Sequence, residues 1–136
     1  MLFFAPKPFT RHVAAFPKNA KVNVYCRNTD LPAINVGNGF IVTCTVNDFK
    51  KTLARCQGVD GISVSYKATK ADFDQIARQF DVQVISQFYD GNLVAVCGRS
   101  NKIVGGVVVD KALVNIQLAF DGATLTVGYP LILDSY

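Results

Sequence analysis

Thr69-Lys70-Ala71-Asp72-Phe73-Asp74-Gln75-Ile76-Ala77-Arg78-Gln79-Phe80-Asp81-Val82-Gln83-Val84-Ile85-Ser86-Gln87-Phe88-Tyr89-Asp90-Gly91-Asn92-Leu93-Val94-Ala95-Val96-Cys97 holds a helix, a strand, a tight turn and a returning strand. Phe73, Ile76, Ala77 and Phe80 recur at i, i+3, i+4 and i+7, which lines one face of a helix. Thr69 and Asp72 have capping-box spacing, in which each side chain satisfies the other residue's orphan backbone N–H. Asp74 and Arg78, one turn apart, are placed to pair for roughly 0.2–0.5 kcal/mol. Beyond the helix, Asp90-Gly91 suits the two-residue type I′ turn of a hairpin. That turn groups Val82, Val84, Phe88, Leu93, Ala95 and Cys97 on one face. Ile85, Tyr89, Val94 and Val96 share the other with Gln83 and Gln87, so this part of the sheet is expected to be covered on both sides.

Both devices occur twice. Upstream, the strand-like run Phe40 to Thr45 leads into a second helix, with Thr45 and Asp48 at the capping spacing and Asp in place of the stronger Glu. Phe49, Leu53 and Cys56 form its apolar stripe, Lys50, Lys51 and Arg55 face water, and Gly58 and Gly61 end it before a short strand from Ile62 to Tyr66. Downstream, Asp121-Gly122 joins a second hairpin. Val114, Ile116, Leu118, Phe120, Leu125 and Val127 take one face, and Asn115, Gln117, Thr124 and Thr126 take the other, as in an antiparallel sheet with one wet side. Between the hairpins, Gly98 to Asn101 reads as a loop and Ile103 to Val109 as a strand interrupted by Gly105-Gly106.

Residues 1–21 carry Pro6, Pro8 and Pro17 and read as an extended arm, pinned by Phe3, Phe4, Phe9 and Phe16, ahead of a single domain over residues 22–136. Lys21 to Arg27 alternates as a short strand, and Asn28 to Gly39 is a loop. With 136 residues and half of them apolar, the chain suffices for one core. The net charge of +4 is unevenly spread. Lys7, Arg11, Lys18, Lys21 and Arg27 fall in the first 27 positions without an acid, whereas the remainder is close to neutral. Such an arm suits either a solvated extension or contact with phosphates. It lacks a dense Lys/Arg run and the body shows no binding motif, so nucleic acid is the weaker reading.

Nothing in the sequence assembles a reaction. The four cysteines (Cys26, Cys44, Cys56, Cys97) are widely spaced and His12 is the only histidine, so no metal or cofactor is expected; the thiols read as small buried hydrophobes, with two disulfides in any of three connectivities as the alternative in an oxidising compartment. Gly98-Arg99-Ser100-Asn101-Lys102 lacks phosphate-loop spacing, and Asp72 and Asp74 point to different helix faces. His12, alone on the arm, is a poor base for Cys97. The polar row Asn115, Gln117, Thr124 and Thr126 is the candidate interaction face. No run of 18 apolar residues occurs, and Met1 to Ala5 is too short for a signal-peptide core, so the chain reads as soluble as written, with its compartment open.

Val114-Asn115-Ile116-Gln117-Leu118-Ala119, then Thr124-Leu125-Thr126-Val127-Gly128-Tyr129-Pro130-Leu131-Ile132 and the final Ser135-Tyr136, resemble the close of the YwmB-like proteins of spore-forming bacteria. The resemblance implies a TATA-box-binding-protein-like fold, a label for shape that does not confer DNA binding. It also implies a link to the cell envelope and sporulation, with no catalytic residue to carry over.

The expectation is therefore an α+β domain, two helices packed on one face of a mainly antiparallel, curved sheet of about six to eight strands. Its expected role is non-enzymatic binding or structure in the bacterial envelope or sporulation programme, with a protein or a second copy as partner. The alternatives are a nucleic-acid module led by the basic arm, and a small-ligand or enzyme subunit with a pocket between helices and sheet.

Overall fold

The structure, a computed structural model, describes residues 7–130 and 132, with side chains from residue 10 onward. The chain is mostly antiparallel sheet with a smaller helical share. In order it forms α1 (Lys7–Val13), β1 (Lys21–Thr29), β2 (Ile34–Val36), β3 (Gly39–Thr45), α2 (Phe49–Leu53), β4 (Cys56–Lys67), α3 (Lys70–Gln79), β5 (Gln83–Asp90), β6 (Leu93–Arg99), β7 (Val107–Val109), β8 (Ala112–Val114), β9 (Ile116–Phe120) and β10 (Thr124–Tyr129). An 8-stranded sheet runs β2-β3-β1-β4-β10-β9-β6-β5, and β7 and β8 pair separately. The two edges of the large sheet are thus β2 and β5.

Strand register builds the core. Cys44, Val22, Val64, Val127, Leu118 and Val96 form one cross-strand row. Tyr66, Leu125, Phe120 and Val94 form the next. Directly opposed residues share a sheet face, so these rows make one apolar surface. Val13, Phe49, Phe73, Ile76 and Phe80 from the helices join the same buried cluster. Phe73 lies 6.0 Å from Phe120 and Phe16 lies 5.6 Å from Tyr66, centroid to centroid. Each such side chain contributes about 1.5–3 kcal/mol on burial.

The helix of the opening stretch forms as its sequence dictates. Asp72 N–H donates to Thr69 Oγ1 at 3.3 Å, and Thr69 N–H donates to Asp72 Oδ2 at 2.8 Å, closing the capping box. Thr69→Ala is expected to lower stability by about 1 kcal/mol, read as a shifted urea midpoint at unchanged slope. At the other end Asp81 has φ +50°, Val82 N–H bonds Ala77 C=O and Asp81 N–H bonds Arg78 C=O, the Schellman pattern. The expected Asp74–Arg78 pair is replaced by Lys70–Asp74 at 2.5 Å, with the Lys70 ammonium also 5.1 Å from the Phe73 ring centroid. The ring gives Lys70 a second attraction, and the exposed ion pair itself adds little.

Several expectations are corrected. The N-terminal arm is helical over Lys7–Val13, and Val13, Phe16 and Ala20 are buried in the core. Pro8 is compatible because it falls in the first helical turn, where the backbone N–H has no intrahelical partner. Phe3, Phe4 and the closing Ser135-Tyr136 lie outside the described residues, as does the side chain of Phe9. Three α-helices are described where two were expected. The Thr45 helix is a single 3-10 turn followed by the short α2, because Cys56 already belongs to β4. Gly58 and Gly61 are therefore strand residues, beside a bulge in the pairing with Tyr25 and Cys26.

Both hairpin turns also differ. Asp90 pairs with Leu93, so the turn is Gly91-Asn92, with φ +59° at Gly91. Phe120 pairs with Leu125, and the wider loop is held by Asp121 Oδ1, which accepts from Ala123 N–H at 2.9 Å and Thr124 N–H at 2.7 Å. Each register moves by an even step, so the facing groups of the second hairpin survive. In the first, a bulge between Val84 and Ser86 sets Val84 opposite Gly98, away from the face that carries Phe88.

Candidate interaction surface

The polar row is largely consumed by the fold. Asn115 is 2% exposed and lies between β8 and β9. Its Oδ1 accepts from Ser100 N–H at 2.7 Å, and its Nδ2 donates to Ser100 C=O at 2.9 Å and Ile103 C=O at 3.0 Å. These bonds tie the loop after β6 to the start of β9. Gln117, Thr124 and Thr126 do share the sheet face opposite the core rows. Gln117 Oε1 accepts from Ile132 N–H at 2.8 Å, and buried Thr126 exchanges a 3.2 Å hydrogen bond with Ser65. Asn23 and Thr43 are bonded on the same face at 2.6 Å, and Ser63 beside them is buried with a hydroxyl that has no partner among the described residues. Period-2 alternation found this face but could not show that its groups bond one another.

The basic residues are dispersed. Arg11, Lys18, Lys21 and Arg27 are exposed, and Arg27 has Asp60 at 3.7 Å; the Lys7 side chain is not described. Arg11 sits on α1, whereas Lys21 projects from the sheet face opposite the core.

His12 packs edge-on against Phe80 at 5.0 Å. Burial, then the charges of Arg11 and Lys102, hold its imidazole below the ordinary value of 6.5. The unfolded chain therefore takes up this proton first, and His12's contribution to stability is complete above pH 6.5 and is lost as pH falls through 6.5 toward the folded value. His12→Gln is expected to flatten the pH dependence of the urea midpoint between about pH 7.5 and 5.5.

All four thiols are free, and burial pushes Cys44 up and Cys56, also facing Cys26, up to about 11. Both therefore stay protonated and unreactive near neutral pH. Among the described residues no three His, Cys or Asp side chains are grouped to hold a metal.

Among the described residues, two clefts are lined in part by polar and charged side chains. One of about 370 Å³, between the end of β1 and the start of β4, is lined by Asn28, Thr29, Asp30, Ala54, Arg55 and Gln57. Its charges neutralise each other through two 3.0 Å bonds from Arg55 to Asp30. The other, about 230 Å³, lies between α1 and the Thr45 turn, with Lys18 and Lys50 at its rim.

The feature that the sequence reading missed is the outer edge of β5. All eight of its residues are exposed, including Val84 (51%), Ile85 (40%), Phe88 (55%) and Tyr89 (64%). It pairs with β6 on one side, and no other described strand meets it. A two-residue turn makes Asp90 and Leu93 a hydrogen-bonded pair, so the main chain of Ser86, Phe88 and Asp90 is turned toward β6. The N–H and C=O groups of Gln87 and Tyr89 consequently point outward. The apolar content was legible in the sequence, but it read as coverage on both faces because edge position depends on strand order.

No helix among the described residues is long and apolar enough to cross a membrane. Comparison with protein-family models, curated proteins and solved structures finds no match to this chain.

Proposed function

We propose that this chain is a non-enzymatic binding or structural domain that takes up an extended polypeptide segment along the outer edge of β5. The observation that carries this reading is the combination on one unpaired edge strand of outward backbone donors and acceptors with exposed Val84, Ile85, Phe88 and Tyr89. In strand addition, main-chain bonds give affinity and alternate side chains give selectivity. Edges of monomeric proteins are usually blunted by lysine, proline, shortness or a bulge; β5 has neither lysine nor proline, and its one bulge, between Val84 and Ser86, leaves Ser86–Asp90 as a regular open run.

The resemblance of residues 114–132 to the close of the YwmB-like proteins supports a setting in the bacterial cell envelope or sporulation programme. It also supports the finer architecture, a curved sheet with α2 and α3 packed on one face.

Selection of extended octapeptides from a random library against the intact chain tests the reading. Peptides that bind the native chain and lose at least about tenfold affinity for Gln87→Pro support it, since that change removes an outward N–H and leaves the β5–β6 ladder in place. Peptides indifferent to Gln87→Pro, or no peptide selected at all, would count against it.

A further inference from the structure

The other edge of the sheet, β2, is only 3 residues long, which by itself limits pairing. The longer edge has a pattern that fits its own copy. The bulge bends β5 before Ser86, so the regular run is Ser86–Asp90, and its central residue is Phe88. Laid antiparallel about a two-fold axis through Phe88, the run opposes Ser86 to Asp90, Gln87 to Tyr89 and Phe88 to itself. The outward main-chain groups of Gln87 and Tyr89 then meet as hydrogen-bonded pairs. Phe88 falls at a non-hydrogen-bonded position, where side chains approach most closely. Asp90 is the only charged residue of the strand, and this arrangement keeps the two copies of it at opposite ends, each facing a serine hydroxyl.

We propose that β5 pairs antiparallel with β5 of a second copy of this chain, joining two sheets into one across a two-fold axis at Phe88. The proposal rests on the reading of β5 as the binding edge and names its partner. A different protein would need its own complementary strand, whereas the native sequence already sets Ser86 opposite Asp90, the Gln87 amide opposite the Tyr89 phenol, which bond each other within the strand at 2.9 Å, and Phe88 opposite Phe88, without like charges in contact. The contact is isologous and closes at the dimer. Pairing of short edges buries little area, so dissociation is expected on the order of 10 µM.

Sedimentation velocity of the intact chain from about 1 to 300 µM is the test, a range that brackets that constant. The native chain is expected to pass from monomer to dimer, while Gln87→Pro and Phe88→Lys remain monomeric with unchanged far-ultraviolet circular dichroism. Should Gln87→Pro fail to fold, Phe88→Lys carries the comparison, because that side chain already lies in solvent. Hydrogen exchange across the same range is expected to slow by about tenfold or more at the Gln87 and Tyr89 amides, with Phe88, bonded to β6, unchanged. A native chain that stays monomeric, a dimer indifferent to both substitutions, or growth into larger assemblies would overturn the proposal. Monomeric chains that still bind selected peptides through β5 would remove the second copy as partner and leave the strand-binding reading standing.

Discussion

Replacing Asn115 with leucine is expected to destabilise the fold by roughly 3–5 kcal/mol, because it leaves three buried backbone groups without partners. Those groups are Ser100 N–H, Ser100 C=O and Ile103 C=O, each within 3.0 Å of the Asn115 amide. Ser100 is fully buried and Ile103 is 4% exposed, so water cannot readily replace the lost bonds. Leucine keeps the branching and heavy-atom count of asparagine and excludes solvent from the site, so the lost hydrogen bonds dominate, with crowding by the two methyl groups adding to the cost. Ser100 Oγ also donates to Phe80 C=O, so loosening this loop is felt at the end of α3. Urea unfolding of the native and variant chains measures the effect. If Asn115 were instead a surface recognition residue, the midpoint would move by less than about 0.5 kcal/mol equivalent.

Phe80→Ala is expected to cost about 3–5 kcal/mol, the range for emptying a fully buried aromatic site. Phe80 is 0% exposed, caps the end of α3 and receives the edge of His12 from α1. Its removal therefore opens a cavity and takes away part of the surface on which α1 docks. Limited proteolysis should show the second effect separately, with cleavage after Arg11 appearing in the variant before global unfolding. A variant whose α1 stays protected would mean that Val13 and Phe16 hold the helix without Phe80.

The parts of the fold that were legible in the sequence are those decided by neighbours in the chain. Thr69 and Asp72 are three residues apart, and their capping box follows from helix geometry alone. The alternation of Ile116, Leu118 and Phe120 with Leu125 and Val127 fixed the core face of the second hairpin even though its loop is wider than expected. Where tertiary context decides, local patterns misled. Gly58 and Gly61 read as helix stops and are strand residues of β4, which pairs with β1 and bulges at Asp60 between Val59 and Gly61. Asp81 ends α3 in a left-handed conformation without the glycine that would have announced it.

The candidate site was less legible than the fold, for a related reason. Gln117 and Thr126 look like a recognition row in one dimension, yet their partners Ile132 and Ser65 come from distant parts of the chain. Phe88 and Tyr89 look like core residues of a hairpin, and only the strand order places them at an open edge.

The central claim is that β5 is held by β6 on one side and is open on the other. Hydrogen exchange of the dilute chain, read residue by residue along β5, tests it most directly. Alternation is predicted: Ser86, Phe88 and Asp90 amides protected by β6, and Gln87 and Tyr89 amides exchanging near their unprotected rates. Equal protection at all five positions, or equal exposure at all five, would contradict the account.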